Sequence, residues 1–307
     1  MAHLKIQSAN IFYEVHGDSG PWLALNAGGR HRSVEMVPLA QMIAAQGFRV
    51  FTHDRRNTGA SDIVIGSDAH DLRSEDEIWA DDLYALLQHL GTGPAFAGGS
   101  SAGARLSMLL ARRHPDAVKG LLLMRITGGA FPAQRLPNIY YGQFIKAAQE
   151  GGMAAVCNTA PYQERLALNP SSRERLMAMN PQDYIRIMQR WLDAFLSGPM
   201  APVMGVPEAE LRGLNFPTLV IPGNDKTHSS ISGKACAQLI ANSELFELPI
   251  HDEDRDIIPF PEWHPHYPAI TQKFTAFMRA HAGFVIPAST PVIPASTTVI
   301  PAKAGIQ

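Results

Sequence analysis

Residues Gly99-Ser100-Ser101-Ala102-Gly103 read G-x-S-x-G, and they lie between an apolar run from Pro94 to Ala97 and a helix-like run from Ala102 to Arg113. A strand that turns sharply into a helix at a serine holds that serine in a strained backbone conformation. Any side chain larger than hydrogen two residues to either side would collide with the neighbouring strand and helix. The spacing therefore predicts a strand, a tight turn and a helix, with Ser101 at the apex as the candidate nucleophile. The pentapeptide alone recurs by chance in many proteins, so its surroundings decide its meaning.

Those surroundings alternate strands with helices. Leu4 to Ile6 and Ile11 to Val15 alternate apolar with polar residues around Ser8-Ala9-Asn10, which predicts an opening hairpin. Trp22 to Leu25, Phe48 to Thr52 and Gly120 to Met124 are compact apolar runs; Ser33 to Gln46 and Glu75 to Leu90 carry helical spacing. Strands apolar on both faces and separated by helices imply an α/β fold, a mostly parallel twisted sheet flanked by helices. Such sheets place their chemistry at the carboxyl ends of the strands.

From Arg125 to Gly213 the strand signal disappears into a helical stretch rich in methionine and aromatics, among them Tyr140, Tyr141, Phe144, Met153, Met177, Met179, Tyr184, Met188, Trp191 and Phe195. Strands resume at Pro217 to Ile221 and Leu245 to Leu248, before a helix from Pro268 to His281. The chain thus divides into a core (1–124), an inserted helical cap (125–213), a second core segment (214–283) and a tail (284–307). Most of the cap's large side chains are expected to fill its own interior and some to face a cleft. In the tail, Val-Ile-Pro-Ala recurs at Val285, Val292 and Val299; prolines at that density block helix and central strand, so the segment is expected to be disordered.

Composition narrows the function classes. Of 307 residues, 46% are hydrophobic and 18% charged, and the formal net charge is -2, which fits an enzyme acting on a small molecule. No basic stripe points to nucleic acid, and no apolar window is long enough to span a bilayer. Cys157 and Cys236 are far apart and read as buried, reduced thiols, and the histidines lack metal-ligand spacing, so no metal or cofactor is expected. The first residues show no secretory leader, so a cytoplasmic location is expected. The oligomeric state is open.

The order of elements, together with Gly99 to Gly103, His53-Asp54-Arg55-Arg56-Asn57-Thr58-Gly59-Ala60-Ser61 and Leu219-Val220-Ile221-Pro222-Gly223-Asn224-Asp225, resembles the α/β-hydrolase fold family over residues 3–282. The resemblance implies a catalytic triad in the chain order serine, acid, histidine. It matches the acid to Asp225. It places the histidine in the loop ahead of the final helix, which carries His264 and His266 as alternatives, with His251 nearer the strand end. His228, three residues after Asp225, is read as a pocket or structural histidine. The oxyanion hole is matched to the backbone N–H of Ala102 and, from Asn26-Ala27-Gly28-Gly29, to that of Gly28, with Gly29 as the alternative.

In this reading Ser101 forms an acyl-enzyme with a small, largely apolar ester, lactone or related acyl compound. A serine at this turn argues against the epoxide hydrolase and haloalkane dehalogenase branches of the family it resembles, which need a carboxylate nucleophile. Two alternatives stand beside it, a weakly catalytic or non-catalytic ligand-binding protein and a cofactor-free perhydrolase or haloperoxidase-like enzyme. Asp54-Arg55-Arg56 is read as a solvated, loop-ordering charge cluster. Arg105 is left facing either the cleft or a neighbouring acid.

Overall fold

The computed structural model describes residues 2–66 and 71–284. Eight strands form one sheet: β1 (Ala2–Ile6), β2 (Ala9–His16), β3 (Trp22–Asn26), β4 (Arg49–His53), β5 (Ala95–Ser100), β6 (Val118–Met124), β7 (Thr218–Ile221) and β8 (Ser243–Leu245), in the order β1-β2-β4-β3-β5-β6-β7-β8. The opening hairpin turns at Gln7 and Ser8, with Gln7 in the left-handed region at φ 53°. β2 runs antiparallel to β4, and every later pairing is parallel. β3, β5 and β7 are buried along their whole length, as unbroken apolar runs in a sheet covered on both faces should be.

The strand order explains where a ligand can enter. From β3 the chain moves outward to β4, then returns past β3 to β5 on the other side, which leaves a crevice beyond the carboxyl ends of β3 and β5. Asn26 ends the first of these strands and Ser100 the second.

Helices α1 (Val37–Ala44), α2 (Glu75–His89) and α3 (Ala102–Arg113) follow β3, β4 and β5. Between β6 and β7 come α4 (Ala130–Pro137), α5 (Gln143–Asn158), α6 (Ala160–Leu168), α7 (Ser172–Ala178), α8 (Pro181–Ser197) and α9 (Glu208–Arg212), and the chain closes with α10 (Ser230–Leu239) and α11 (Tyr267–Ala280). One face of the sheet packs on α1 and α11 through Leu39, Ile43, Ile270 and Phe274. The other packs on α2, α3 and α10 through Leu83, Leu86, Leu110 and Cys236. A capping box at Ser74 and Glu77 starts α2 by satisfying orphan backbone donors.

The helices inserted after β6 enclose a hydrophobic cluster of their own, containing Tyr141, Phe144, Met153, Tyr184, Met188, Trp191 and Phe195. Those side chains are interior packing. Tyr140 instead borders the crevice, and Met177 is exposed. Cys157 and Cys236 are both buried and unpaired. β8 is shorter and earlier than the run Leu245 to Leu248 predicts, because the chain turns inward there and buries Leu248 beneath the sheet. Phe284 packs against the core, and the rest of the expected tail lies outside the described residues.

The turn at Ser101 accounts for its glycines. A Cβ on Gly103 would lie 2.3 Å from the Asn26 carbonyl oxygen and 2.6 Å from that of Ala27, and one on Gly99 would lie 2.2 Å from Asn26 O. Both obstacles are backbone of β3 and the loop after it, which cannot rotate away. Gly103→Ala is therefore expected to destabilise the protein by about 1–3 kcal/mol through overpacking. Urea unfolding measures this, and an unchanged midpoint would show that the close approach of α3 to β3 is not required.

Candidate active site

Ser101 occupies the turn between β5 and α3 with φ 58° and ψ -118°, a left-handed conformation that non-glycine residues rarely adopt. Its N–H is fixed by the carbonyl of Met124 on β6, and its carbonyl accepts from Arg105 N–H in the first turn of α3. Two side chains reach the hydroxyl: His228 Nε2 at 2.9 Å and Thr127 Oγ1 at 2.8 Å.

His228 and Asp225 come from one turn between β7 and α10. The His228 N–H donates to the carbonyl of Asp225 and, at 2.8 Å, to its Oδ1. That turn folds the imidazole back over the carboxylate, with Nδ1 at 2.9 Å from Oδ1 and 3.1 Å from Oδ2. Burial alone would raise the Asp225 pKa, but hydrogen bonds and charge from His228, the Ile258 N–H and Arg125 outweigh it and hold the carboxyl well below its ordinary range. An ionised carboxylate only accepts, so Nδ1 carries the proton and Nε2 is left as the acceptor for the Ser101 hydroxyl. Thr127 then donates to Ser101 Oγ.

Arg125, the residue after β6, sits behind the acid. It is buried with φ 51°, and its NH2 group donates to Asp225 Oδ2 at 2.7 Å and to the Ile258 carbonyl at 2.6 Å. Both of its protons are thereby used, so its approach to His228 Nδ1 at 3.3 Å is purely electrostatic. Burial first, and then Arg125, push the His228 pKa below 6.5 against the opposing pull of Asp225; His31 adds a small push in the same direction. The imidazole is therefore neutral at neutral pH.

The expected histidines lie elsewhere. His264 is exposed against the Tyr267 ring and His266 packs on Trp263, both on the 3₁₀ helix Phe260–His266, and neither imidazole makes a hydrogen bond among the described residues. His251 is exposed as well. The loop after β8 does reach Asp225, but it presents the backbone N–H of Ile258 at 2.9 Å to Oδ2. With Oδ1 held by His228 and Oδ2 by Arg125 and Ile258, no acceptor remains for a histidine from that loop. The position His228 occupies was legible only as Asp-x-x-His, the spacing at which a carboxylate receives the N–H of the third residue on. Thr127 and Arg125 carried no sequence signal of their own.

Gly28 and Ala102 flank Ser101. A Cβ on Gly28 would lie 3.3 Å from Ser101 Cβ, and neither N–H donates to a backbone carbonyl among the described residues. Arg55 braces this loop by donating to the carbonyls of Gly28, at 3.0 Å, and Gly29. Burial lowers its pKa to about 10, which leaves it charged at neutral pH. The charge cluster expected to be solvated is in fact interior. Asp54, Arg55 and Arg56 are all buried, with Arg56 paired to Asp82 at 2.8 and 2.9 Å and Asp54 accepting from the Ser33 and Ala60 N–H groups. It still orders its loop, through partners distant in sequence. Arg105 is buried and paired with Asp76 at 3.1 Å.

A cavity of about 750 Å³ opens in front of Ser101. Its floor includes Gly28, Ser101 and His228, and its roof is formed by Leu136, Tyr140 and Leu168 of the inserted helices.

The model of the alpha/beta hydrolase fold family matches residues 23–151. The chain is similar to the thermophilic esterase of Thermogutta terrifontis, with a TM-score of 0.62 at 20% identity over 92% of this chain and 100% of that one. This protein has the α/β-hydrolase fold. Among curated relatives of this hydrolase-fold chain, the uncharacterized hydrolase YraK of Bacillus subtilis (strain 168) is 33% identical over 115 residues, 38% of this chain and 40% of that protein. The bifunctional esterase/perhydrolase DCH of Acinetobacter calcoaceticus is 25% identical over 253 residues, 78% of this chain and 88% of that protein.

The electrostatics of His228 can be read through the reactivity of Ser101. A fluorophosphonate should phosphonylate Ser101 at a rate that falls as pH drops and His228 gains its proton, with the midpoint below 6.5. Arg125→Met removes the neighbouring positive charge and should move that midpoint upward. A midpoint unmoved in a variant that keeps its melting temperature would contradict the role assigned to Arg125.

Proposed function

We propose that this α/β-hydrolase-fold chain is a serine hydrolase that cleaves an ester, lactone or related acyl bond of a small, largely apolar compound through an acyl-enzyme. One observation carries the reading: an unbroken hydrogen-bond chain runs from the Ser101 hydroxyl through both ring nitrogens of His228 to an ionised Asp225. His228 takes the proton as Ser101 Oγ attacks the carbonyl, and returns it to the leaving group. Asp225 holds the imidazole in the required tautomer and stabilises the imidazolium. The developing oxyanion is received by the N–H groups of Ala102 and Gly28, the former at the positive end of α3. Water activated by His228 then releases the acyl group. The inserted helices serve as a cap that closes the cavity over the reacting carbonyl and limits water to what deacylation needs. A protein that only binds ligands has no use for this proton path.

Perhydrolysis is a second reading, favoured by the printed name of the Acinetobacter relative. It uses the same acyl-enzyme with hydrogen peroxide in place of water. Peracid formation in peroxide, measured beside hydrolysis of the same ester, separates the two.

The assay is release of 4-nitrophenol from short-chain esters. Ser101→Ala and His228→Ala should each lower kcat by roughly 10³-fold or more, as expected for members of one catalytic unit, whereas His264→Ala and His266→Ala should stay within about twofold of the parent because surface changes are usually mild. Activity that survives His228→Ala but disappears with His264→Ala or His266→Ala would overturn the assignment.

A further inference from the structure

Among the charged side chains that border the cavity, most are already engaged. Arg30 is bonded to Glu75 at 2.8 and 2.5 Å, Arg125 to Asp225, and Arg135 lies 3.6 Å from Asp256. On the cavity wall, Arg32, half-buried, and Arg165 on α6 are the cations without such a partner among the described residues, and Arg165 is the more enclosed of the two. Arg165 is buried, with its guanidinium over the rings of Phe144 and Tyr162 at 5.7 and 5.1 Å, and that guanidinium has neither a hydrogen bond nor an ion pair among the described residues. Glu75, the carboxylate that acts on it electrostatically, is already taken by Arg30, Asn57 and Tyr141. Its neighbour Glu164 is exposed and not paired with it.

A buried guanidinium held on aromatic faces but left without an anion is costly to a fold, and a ligand carboxylate could supply the missing charge to its planar fork. Burial and the nearby Arg30 both lower the pKa of Arg165, and an arriving carboxylate would relieve that strain. Arg165 borders the same cavity as Ser101 and His228, with apolar Leu136, Leu168 and Ile258 also on its walls. From this placement we infer that the substrate is an apolar acyl compound bearing a carboxylate, which Arg165 receives through its paired N–H donors while the reacting carbonyl lies at Ser101. The inference names the substrate class of the hydrolase proposed above and rests on that reading.

Its test does not require turnover, so its failure is separable from failure of the hydrolase reading. Linear dicarboxylates from succinate to suberate, and the neutral diamides of the same lengths, are titrated calorimetrically into the full-length Ser101→Ala protein. At least one dicarboxylate should bind more tightly than its diamide, and adding Arg165→Met should weaken that binding roughly ten- to hundredfold, the loss expected for a charge-assisted pair. Arg165→Met should melt no lower than its parent, because an isosteric apolar side chain replaces an unpaired buried charge. Should Arg165→Met fail to fold, Arg165→Lys replaces it; this variant keeps the charge without the planar fork and should bind more weakly than the parent. Dicarboxylates that do not bind, that bind no better than diamides, or that bind equally well without Arg165 would overturn the inference.

Discussion

The carboxylate of Asp225 is the point on which the site depends. It receives the His228 backbone and ring N–H groups on one oxygen, and Arg125 and the Ile258 N–H on the other. Buried without these partners it would take up a proton and lose its hold on the imidazole tautomer. With them it stays ionised, and His228 Nε2 is left as an acceptor for the Ser101 hydroxyl. One buried anion therefore fixes the turn after β7, the position of the loop after β8 and the direction of the hydrogen bonds that lead to Ser101.

Arg125 carries a cost within that arrangement. Its charge secures Asp225, yet it lies close enough to His228 to oppose formation of the imidazolium. The result is an imidazole whose pKa is held below its ordinary value, at the expense of basicity. The same pattern of buried guanidinium groups recurs around the cavity: Arg55 orders the Gly28–Gly29 loop, Arg30 is neutralised by Glu75, and Arg165 is left open. A chain with a net charge of -2 thus lines this cavity with Arg30, Arg32, Arg125, Arg135 and Arg165 beside Glu35 and Glu164.

The fold was largely legible because its signals are local. Steric demand at Gly99 and Gly103 follows from the serine turn itself, and strands buried on both faces announce a parallel sheet through unbroken apolar runs. Ser101 and Asp225 were legible for the same reason, being attached to strand ends. The histidine was not. Which imidazole meets Ser101 depends on how the loop after β8 settles, and that loop delivers the Ile258 backbone where a histidine was expected. The placement of Asp54, Arg55 and Arg56 was hidden likewise, since a run of charges looks solvated until Asp82 and the Gly28 carbonyl, 26 and 27 residues away, are brought against it.

The most direct measurement is the tautomer of His228, read from nitrogen-15 resonances of imidazole-labelled protein near neutral pH, with His228→Gln used to assign the signals. The account predicts a neutral ring protonated at Nδ1, with an Nδ1 proton shifted far downfield by Asp225, and disappearance of that proton in Asp225→Asn. A His228 ring protonated at Nε2, or a downfield proton that belongs to His264 or His266, would contradict it.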